Sequence, residues 1–342
     1  MSEFLNQYLL EEPFQNKDAG FSRWTYARRK GKDYFLKEFM DPVYPADGSL
    51  SAALMQDRIA DCREYEDKKR RLYEAINAYS DGNAVRISEF FRSGSHYYIS
   101  MNRVRSAEAL PDDRTDPDLR MRLTYCTALA HSLMSLHEAH IVHADLKETN
   151  ILPQKTVTGS YVGKIIDYDG SFFENEPPHP DDMGGDQVYM APETCLYMLE
   201  EPADVTCKVD VFAAGILFHK YLTGEIPGFD TEEYAYLHEA VLDGREPELS
   251  PALPDPLRRM IRAMLSEDPG ARPSMQEVFR ELRAYMFHRF GIGTPPSGEE
   301  DVTMPAGAAD WIDPDIAKMK KEKAVEEKPR DPAGFFKRAG DL

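Results

Sequence analysis

The sequence predicts an α+β fold in two lobes, a small strand-rich N-terminal lobe with one main helix and a larger, mainly helical C-terminal lobe. Aromatic segments with strand-like alternation are concentrated before residue 105. Amphipathic helical patterns dominate from there to residue 290. Gly, Pro and small polar residues then become frequent, as is typical of a flexible tail. We therefore predict an N-lobe over residues 1–104, a C-lobe over 105–290 and a C-terminal tail over 291–342.

The strands and the helix of the N-lobe are predicted from the spacing of apolar residues and from the turn residues between segments. The segments GFSRWTYARR and KDYFLKEF are separated by KGK, which predicts a β-hairpin. The segments AVRISEFF and HYYISMNRV predict two further strands, with a turn at residues 92–95. Residues 51–79 carry a helical pattern. The positions on its predicted inner face are Tyr65, Leu72, Ile76 and Tyr79.

The C-lobe pattern predicts helices around two short strands. The segment RMRLTYCTALAHSLMSLHEAH predicts a long amphipathic helix, and the strands ILP and GKIIDY follow. KVDVFAAGILFHKYL is apolar nearly all round and therefore predicts a buried helix. DPLRRMIRAML and SMQEVFRELRAYMF predict the last two helices. In the tail, DIAKMKKEKAVEE favours a short helix and AGFFKRAGDL is the segment most suited to docking a partner, although a tail without a role is the alternative.

Composition excludes several classes of function. The formal net charge of −19 argues against non-specific binding to nucleic acid or to anionic membranes. The first residues do not resemble a signal peptide, and no apolar run has the length of a membrane span. The four cysteines are scattered without a CxxC pair, which indicates neither a zinc site nor a disulfide framework and fits a reducing, cytoplasmic setting. The pattern carries no information on the oligomeric state.

One polar loop points to chemistry. In IVHADLKETNIL, residues 141–152, three polar side chains lie between two apolar runs: Asp145, Lys147 and Asn150. A polar loop between buried elements is more often a functional site than a solvated turn.

The loop HADLKETN resembles the catalytic loop H-R-D-L-K-x-x-N of eukaryotic-type protein kinases. Five other segments resemble motifs of that family and occur in the family's order. One such motif is weak, whereas the ordered set is specific, and the resemblance covers about residues 10–290 but not the tail. The segments are FLK at 35–37, KIIDYDG at 164–170, MAPE at 190–193, DVFAAG at 210–215 and DPGARP at 268–273.

The resemblance implies a protein-kinase-like fold that transfers phosphate from ATP, with Mg²⁺, to hydroxyl groups of protein substrates. It implies that Asp145 orients the acceptor hydroxyl and takes its proton, and that Lys147 neutralises charge on the transferred phosphate. It implies that Asn150 and Asp167 hold Mg²⁺, which prefers oxygen ligands, and that Lys37 contacts the α- and β-phosphates.

The same resemblance implies a helix glutamate beside Lys37. The predicted helix offers Glu64, Glu66 and Glu74. Glu74 would leave too little helix after it. We favour Glu66, although this register places Arg70 where an apolar residue is expected.

The glycine-rich phosphate loop is where the sequence departs most from the family. KDAGFS at residues 17–22 occupies the register of G-x-G-x-x-G but keeps only Gly20, between the family's glycine positions. We expect the backbone at Ala19 and Gly20 to approach the phosphates, although less freely than glycines would. Phe21 is expected to cap the site and Trp24 to lie over the adenine.

Other departures affect regulation and substrate docking. Ala144 replaces the Arg of H-R-D, so we expect no activation by loop phosphorylation through that Arg. Asp169 replaces the Gly of D-F-G, which restricts flipping of this segment and adds an acid near the metal. Asp186 stands where Ser/Thr kinases have Thr. We expect its carboxylate to be within reach of Lys147. The same position would bring it close to the carboxylate of Asp145, and two like charges repel each other.

The remaining motif residues are expected to be structural. Glu193 and Arg272 are implied to form a buried ion pair, and Asp210 to accept hydrogen bonds from the backbone of the catalytic loop. His143 is interpreted as a packed loop residue rather than a base.

Three functions fit the pattern. The favoured one is an active Ser/Thr protein kinase, since Lys147 is typical of Ser/Thr specificity and the acidic body favours basic protein substrates. The second is a pseudokinase that acts as a nucleotide-binding or scaffold module, which the altered glycine loop and Asp186 support. The third, a kinase of small molecules, fits less well because such enzymes lack MAPE and the Arg272 partner.

Overall fold

The computed structural model shows the predicted α+β architecture in two lobes, and this fold class is confirmed. A six-stranded antiparallel sheet with one long helix is followed by a mainly helical part. The expected tail helix and docking segment lie outside the described residues, as do Ala19, Gly20 and Phe21. The structure describes residues 3–16, 22–46, 51–80, 83–104, 116–157 and 159–293.

The N-lobe sheet has the strand order β1-β2-β3-β4-β6-β5. Its strands are β1 (Phe4–Leu5), β2 (Tyr8–Leu10), β3 (Ser22–Arg29), β4 (Lys32–Phe39), β5 (Ile87–Ser93) and β6 (His96–Asn102). The predicted hairpin joins β3 to β4, and its turn residues Lys30 and Gly31 both have positive φ, 49° and 75°. Strands β1 and β2 were not predicted, because two or three residues are too few to show alternation.

Register decides which side chains share a face of this sheet. Trp24 pairs with Lys37, and Tyr26 pairs with Phe35. Directly paired residues project to the same side of a sheet, and side chains two residues apart on one strand do so as well. These four side chains therefore lie on one face of the β3–β4 hairpin.

Helix α1 (Ala52–Tyr79) closely matches the predicted span. Its buried residues are Cys62, Leu72, Tyr73 and Ile76. Tyr79 is 48% exposed, so its predicted place on the inner face is wrong. The helix ends there, and Ser80, the next residue, is buried.

The C-lobe is built on helix α4, which is buried along nearly its whole length. The long first helix of the lobe packs against both its central and its last helix. The elements are α2 (Asp116–Glu138), β7 (Ile141–Val142), β8 (Ile151–Lys155), β9 (Tyr161–Ile165), β10 (Phe172–Phe173), α3 (Pro192–Met198), α4 (Lys208–Thr223), α5 (Leu237–Leu242), α6 (Asp255–Met264) and α7 (Met275–Phe290). Among the described helices, none combines the length and hydropathy needed to cross a membrane.

Two short strand pairs bring the polar segments together. β7 pairs with β10, and β8 pairs with β9. Residues 143–150 connect β7 to β8, and residues 166–171 connect β9 to β10. Because both connections are bounded by the same two strand pairs, the HADLKETN loop and the DYDG segment are held side by side.

Candidate active site

The backbone of the HADLKETN loop is held by one buried carboxylate. Asp210, 1% exposed, accepts hydrogen bonds from the amides of His143 at 2.8 Å and Ala144 at 3.0 Å. His137 Nε2 lies 3.0 Å from the same carboxylate. Ala144 has a φ of 66°, an uncommon conformation for a residue with a Cβ. Asp210 therefore has the predicted scaffold role and helps hold a strained loop.

The three predicted catalytic residues form a single cluster. Asn150 Nδ2 donates to the backbone oxygen of Asp145 at 2.8 Å and to its Oδ2 at 2.9 Å. Lys147 Nζ lies 3.0 Å from the same Oδ2. The amide of Asp186 donates to Asp145 Oδ1 at 3.2 Å. The Asp145 carboxylate is thus oriented from three directions.

The expected pairing of Asp186 with Lys147 is not formed. The carboxylate of Asp186 accepts instead from the amide of Val188 at 3.0 Å, and the contact between Asp186 and Asp145 is made by the backbone amide of Asp186. The preceding Gly185 has a φ of 143°, and a Cβ there would lie 3.2 Å from the carbonyl oxygen of Ala144. Glycine permits both this φ and this close approach.

His143 is a packed residue, as interpreted from the sequence. Its side chain is fully buried, with Nε2 3.1 Å from the carbonyl oxygen of Ile166 and Nδ1 3.3 Å from the amide of Asp145. The ring meets Tyr168 edge-on at 5.4 Å between centroids. The neutral tautomer with its proton on Nε2 satisfies both contacts. Tyr168, 1% exposed, occupies the place expected for the aromatic residue of D-F-G.

The predicted buried ion pair is present. Arg272 donates from Nη1 and Nη2 to the two carboxylate oxygens of Glu193 at 2.6 and 2.8 Å, a bidentate contact. Its other donors reach the carbonyl oxygens of Ser266 at 2.8 Å and Glu267 at 3.1 Å. Arg272 is 2% exposed, so this pair ties MAPE to DPGARP inside the lobe.

Lys37 lies between two carboxylates of the DYDG segment. Its Nζ is 2.8 Å from Asp167 Oδ1 and 2.7 Å from Asp169 Oδ2. Burial opposes the charge on Lys37, but Asp169 and Asp167 together outweigh it and raise the pKa of the lysine. Burial likewise disfavours the Asp167 carboxylate, but Lys37 outweighs it and holds the pKa of Asp167 below its usual value. Burial and the neighbouring Asp167 raise the pKa of Asp169.

The predicted pair between Lys37 and Glu66 is not formed. Glu66 accepts a hydrogen bond from the hydroxyl of Tyr97 on β6 at 2.9 Å. The α1 residue that reaches the DYDG segment is Lys69, whose Nζ donates to the backbone oxygen of Asp169 at 2.6 Å. Successive residues of a helix point about 100° apart, and positions 65, 69 and 73 form one row a turn apart. Position 66 lies three residues before 69 and is its neighbour on the helix surface, so the packing of α1, and not helical spacing alone, places Glu66 beside Tyr97 and Lys69 beside Asp169.

An open cleft of about 240 Å³ lies next to Lys37. Its aromatic lining is Tyr26 and Phe35, and Arg103 lies over the Tyr26 ring at 3.6 Å. Trp24 stacks on Phe35 at 5.6 Å but does not line the cleft, so its predicted place over the base is not supported. The other lining residues are Lys37, Val85, Ile99, Met101, Asn102, Val104, Leu152, Ile166, Asp167 and Asp169.

Asn150 and Asp167, the residues predicted to hold Mg²⁺, offer ligand oxygens at adjacent positions. Asn150 directs its amide nitrogen to Asp145, which turns its amide oxygen away from that carboxylate. The amide of Ile166 donates to the backbone oxygen of Asn150 at 3.0 Å, so Asp167 follows directly beside it. Mg²⁺ is commonly held by one or two protein oxygens together with phosphates and water, and this donor set fits. Within the described ranges, no group of three or more His, Cys, Asp or Glu is placed to hold a metal by itself.

Sequence reasoning missed Lys69, Tyr26 and Gly185 as parts of the site. The row of residues at 65, 69 and 73 was readable from helical spacing, but which row faces the cleft depends on how α1 packs. The strand register of Tyr26 and Phe35 was likewise available once the hairpin was predicted. Gly185 carried no signal in the sequence, because its close approach to Ala144 is a tertiary contact.

Fold and site together define a two-lobed domain with a lysine–carboxylate cluster beside a cleft and an Asp–Lys–Asn cluster on a strained loop. The family profile described as "Protein kinase domain" matches residues 56–282, which is more than half of the chain. The chain belongs to the protein kinase family.

Three relatives illustrate this similarity. The chain is 25% identical over 282 residues to the serine/threonine-protein kinase PkaA of Streptomyces coelicolor, a match that covers 81% of this chain and 50% of the relative. It is 33% identical over 162 residues to the leucine-rich repeat serine/threonine-protein kinase 1 of Caenorhabditis elegans, covering 44% and 6%. It is 29% identical over 210 residues to the mitogen-activated protein kinase kinase kinase 7 of Bos taurus, covering 61% and 34%. The chain thus spans half or less of the length of these relatives.

Proposed function

We propose that this protein transfers the γ-phosphate of ATP to Ser or Thr hydroxyls of protein substrates. The observation that carries the proposal is the orientation of the Asp145 carboxylate by the Asn150 amide, the Asp186 backbone and the Lys147 ammonium. Phosphoryl transfer needs little covalent participation from the protein, so positioning and charge provide most of the catalysis. A carboxylate fixed from three sides meets the first of these needs.

The C-lobe cluster would act on the acceptor hydroxyl. Asp145 orients the hydroxyl and accepts its proton as the oxygen attacks phosphorus. Lys147, next to the same carboxylate, neutralises negative charge on the transferred group. The amide of Asp186 keeps the second oxygen of Asp145 in place. Two of the three relatives described above are named serine/threonine-protein kinases, which agrees with this substrate class.

The cleft would hold the nucleotide. Lys37 contacts the phosphates, while the faces of Tyr26 and Phe35 provide apolar area for the purine ring. Asp167 and Asn150 would hold Mg²⁺, which when bound supplies positive charge to the phosphate oxygens.

We further propose a preference for basic protein segments and a cytoplasmic setting. The chain carries 60 acidic against 41 basic residues, and acidic side chains are exposed in the segment before MAPE, with Asp181 84% and Glu176 42% exposed. Matched peptides that differ only in Lys/Arg against Asp/Glu flanks test the preference. The basic peptide should be phosphorylated faster at low salt, and the difference should shrink as salt screens the charges. Equal rates at low salt would contradict it.

The deciding experiment is transfer from radiolabelled ATP in the presence of Mg²⁺, by wild type and Asp145→Asn, to the protein itself and to generic basic proteins. Loss of the proton acceptor should lower the rate by roughly a hundredfold or more. Asp255→Asn is the matched control, since Asp255 is an exposed aspartate on α6, outside the cluster and outside the acidic segment before MAPE, and its variant should retain wild-type activity. Equal labelling by wild type and Asp145→Asn would refute the assignment. Phosphoamino-acid analysis of the product tests the Ser/Thr specificity.

One observation favours the alternative, a pseudokinase that binds nucleotide or acts as a scaffold. Both carboxylates that contact Lys37 lie where phosphates would approach it. ATP binding without label transfer, under conditions that include several protein substrates, would support this alternative over the kinase.

A further inference from the structure

We propose that Asp169, rather than a glutamate of helix α1, is the residue that positions Lys37 for the nucleotide phosphates, and that Lys69 links α1 to it. This inference rests on the proposed nucleotide site. It concerns how the site is assembled, and it assigns a positioning role to Asp169, where the chain departs from its family, and to Lys69.

The first step is the geometry at Lys37. Its side chain is 8% exposed, and its two ion-pair partners among the described residues are Asp167 and Asp169. Asp167 is also the residue expected to hold Mg²⁺. Asp169, 2.7 Å from Nζ, is the partner with no other assigned task.

The second step is the face that α1 presents. Protein kinases hold the corresponding lysine through a glutamate on this helix. Here the row one turn apart on α1 is Tyr65, Lys69 and Tyr73, and Lys69 points its amine at the backbone oxygen of Asp169. The negative charge thus lies on the DYDG segment and a positive charge lies on the helix.

The third step is the charge of the cluster. Two lysines, Lys37 and Lys69, face two carboxylates, Asp167 and Asp169. A glutamate in place of Lys69 would leave three carboxylates against one lysine in a largely buried place, which is unfavourable. The positive charge of Lys69 on α1 therefore compensates the second carboxylate that Asp169 brings to the cluster.

In this arrangement the contact between Lys37 and its carboxylate partner does not depend on the position of α1. Asp169 follows two residues after Asp167 on one short segment, so Lys37 is positioned by that segment itself. The contact that depends on α1 is the hydrogen bond from Lys69 to the Asp169 backbone. A displacement of the helix would break this bond while leaving the Lys37–Asp169 pair in place.

The experiment compares wild type, Asp169→Asn, Lys69→Glu and the double variant Asp169→Asn/Lys69→Glu. Direct ATP binding by calorimetry, KM for ATP, kcat and Tm are measured for each. Asp169→Asn should weaken ATP binding and raise KM by roughly ten- to a hundredfold, the range expected for losing a hydrogen bond to a charged group. The double variant places a carboxylate on α1 and should recover at least part of the loss. Glu89→Gln is the control, because Glu89 forms an ion pair with Arg29 on β3, outside the cleft.

The outcomes separate this inference from the proposed function. Unchanged ATP affinity in a folded Asp169→Asn overturns the inference, even if wild type is an active kinase. A double variant no better than Asp169→Asn overturns the compensation. If Asp169→Asn fails to fold, Lys69→Glu decides the question. Lys69→Glu should bind ATP more weakly than wild type, and introducing Asn at position 169 into this variant should improve its ATP binding. A wild type that binds ATP but transfers no phosphate counts against the proposed function, while the binding measurements still test the inference.

Discussion

The catalytic loop and the lysine cluster lie side by side, yet they follow the family pattern to different degrees. Around the loop, Asp210 and the Glu193–Arg272 pair have the partners that the motifs imply. Around Lys37, the implied partner Glu66 binds Tyr97 instead. The first region is predictable from motifs, and the second has to be read from the structure.

The difference has a physical cause. Asp210 binds two successive backbone amides, and Arg272 meets a carboxylate in a bidentate contact while also donating to carbonyls. Such arrangements fix both distance and direction, so few substitutions satisfy them. Lys37 offers a compact charge on a flexible stem, and a carboxylate from any nearby element satisfies it. Its partner can therefore come from the segment between β9 and β10 instead of from a helix.

The largest effect should follow from breaking the buried pair that ties MAPE to DPGARP. Arg272→Met leaves Glu193 as an uncompensated buried charge, which should cost about 3–5 kcal/mol of unfolding free energy. Urea denaturation measures the change. Arg262→Met is the control because Arg262 pairs with Glu246 on the surface, where removal should cost at most about 1 kcal/mol. Similar losses in both variants would show that the pair does not stabilise the lobe as described.

A smaller loss of stability is expected on acidification, because a buried histidine on α4, the helix that carries Asp210, becomes protonated. His219, 1% exposed, donates from Nδ1 to Glu225 O at 2.7 Å and accepts at Nε2 from the amide of Ser250 at 2.9 Å. Burial lowers its pKa below the usual value. The unfolded chain therefore takes up the proton first, so stability is full above pH 6.5 and is lost as pH falls through the lower folded pKa.

The measurement is the unfolding free energy of wild type and His219→Gln between pH 7.5 and pH 5, a range chosen around the ordinary histidine pKa of about 6.5. The variant should be less stable at neutral pH but should lose less on acidification. His238 also has a pKa lowered by burial, so part of the pH dependence should persist in the variant. Parallel curves for the two proteins would contradict the role of His219.

The smallest effect on ATP binding is expected for Glu66, the helix residue that the motifs pair with Lys37. Glu66→Gln should leave KM for ATP and the affinity for ATP within about twofold, because Gln keeps an acceptor for the Tyr97 hydroxyl and Glu66 does not contact Lys37. Parallel assays of Glu66→Gln and Asp169→Asn compare the two positions directly. A large loss in Glu66→Gln would show that this glutamate serves Lys37 in the working enzyme.

The sequence by itself determined the family and the fold class, and it predicted the residues that come together in the HADLKETN loop. Asp145, Lys147 and Asn150 lie within six residues, so local chain geometry holds them together, and the ordered motifs predicted their surroundings. The hairpin of β3 and β4 and the span of α1 followed in the same way from period and turn signals.

Only the tertiary structure decided which carboxylates contact Lys37, which aromatic rings line the cleft and which atoms of Asp186 meet Asp145. Helical spacing shows that Tyr65, Lys69 and Tyr73 share a row, but the rotation of α1 about its axis is set by packing against the sheet. Glu66 then meets Tyr97 on β6, and Lys69 meets Asp169. Contacts between elements depend on these rotations and registers, and neither is a property of a local pattern.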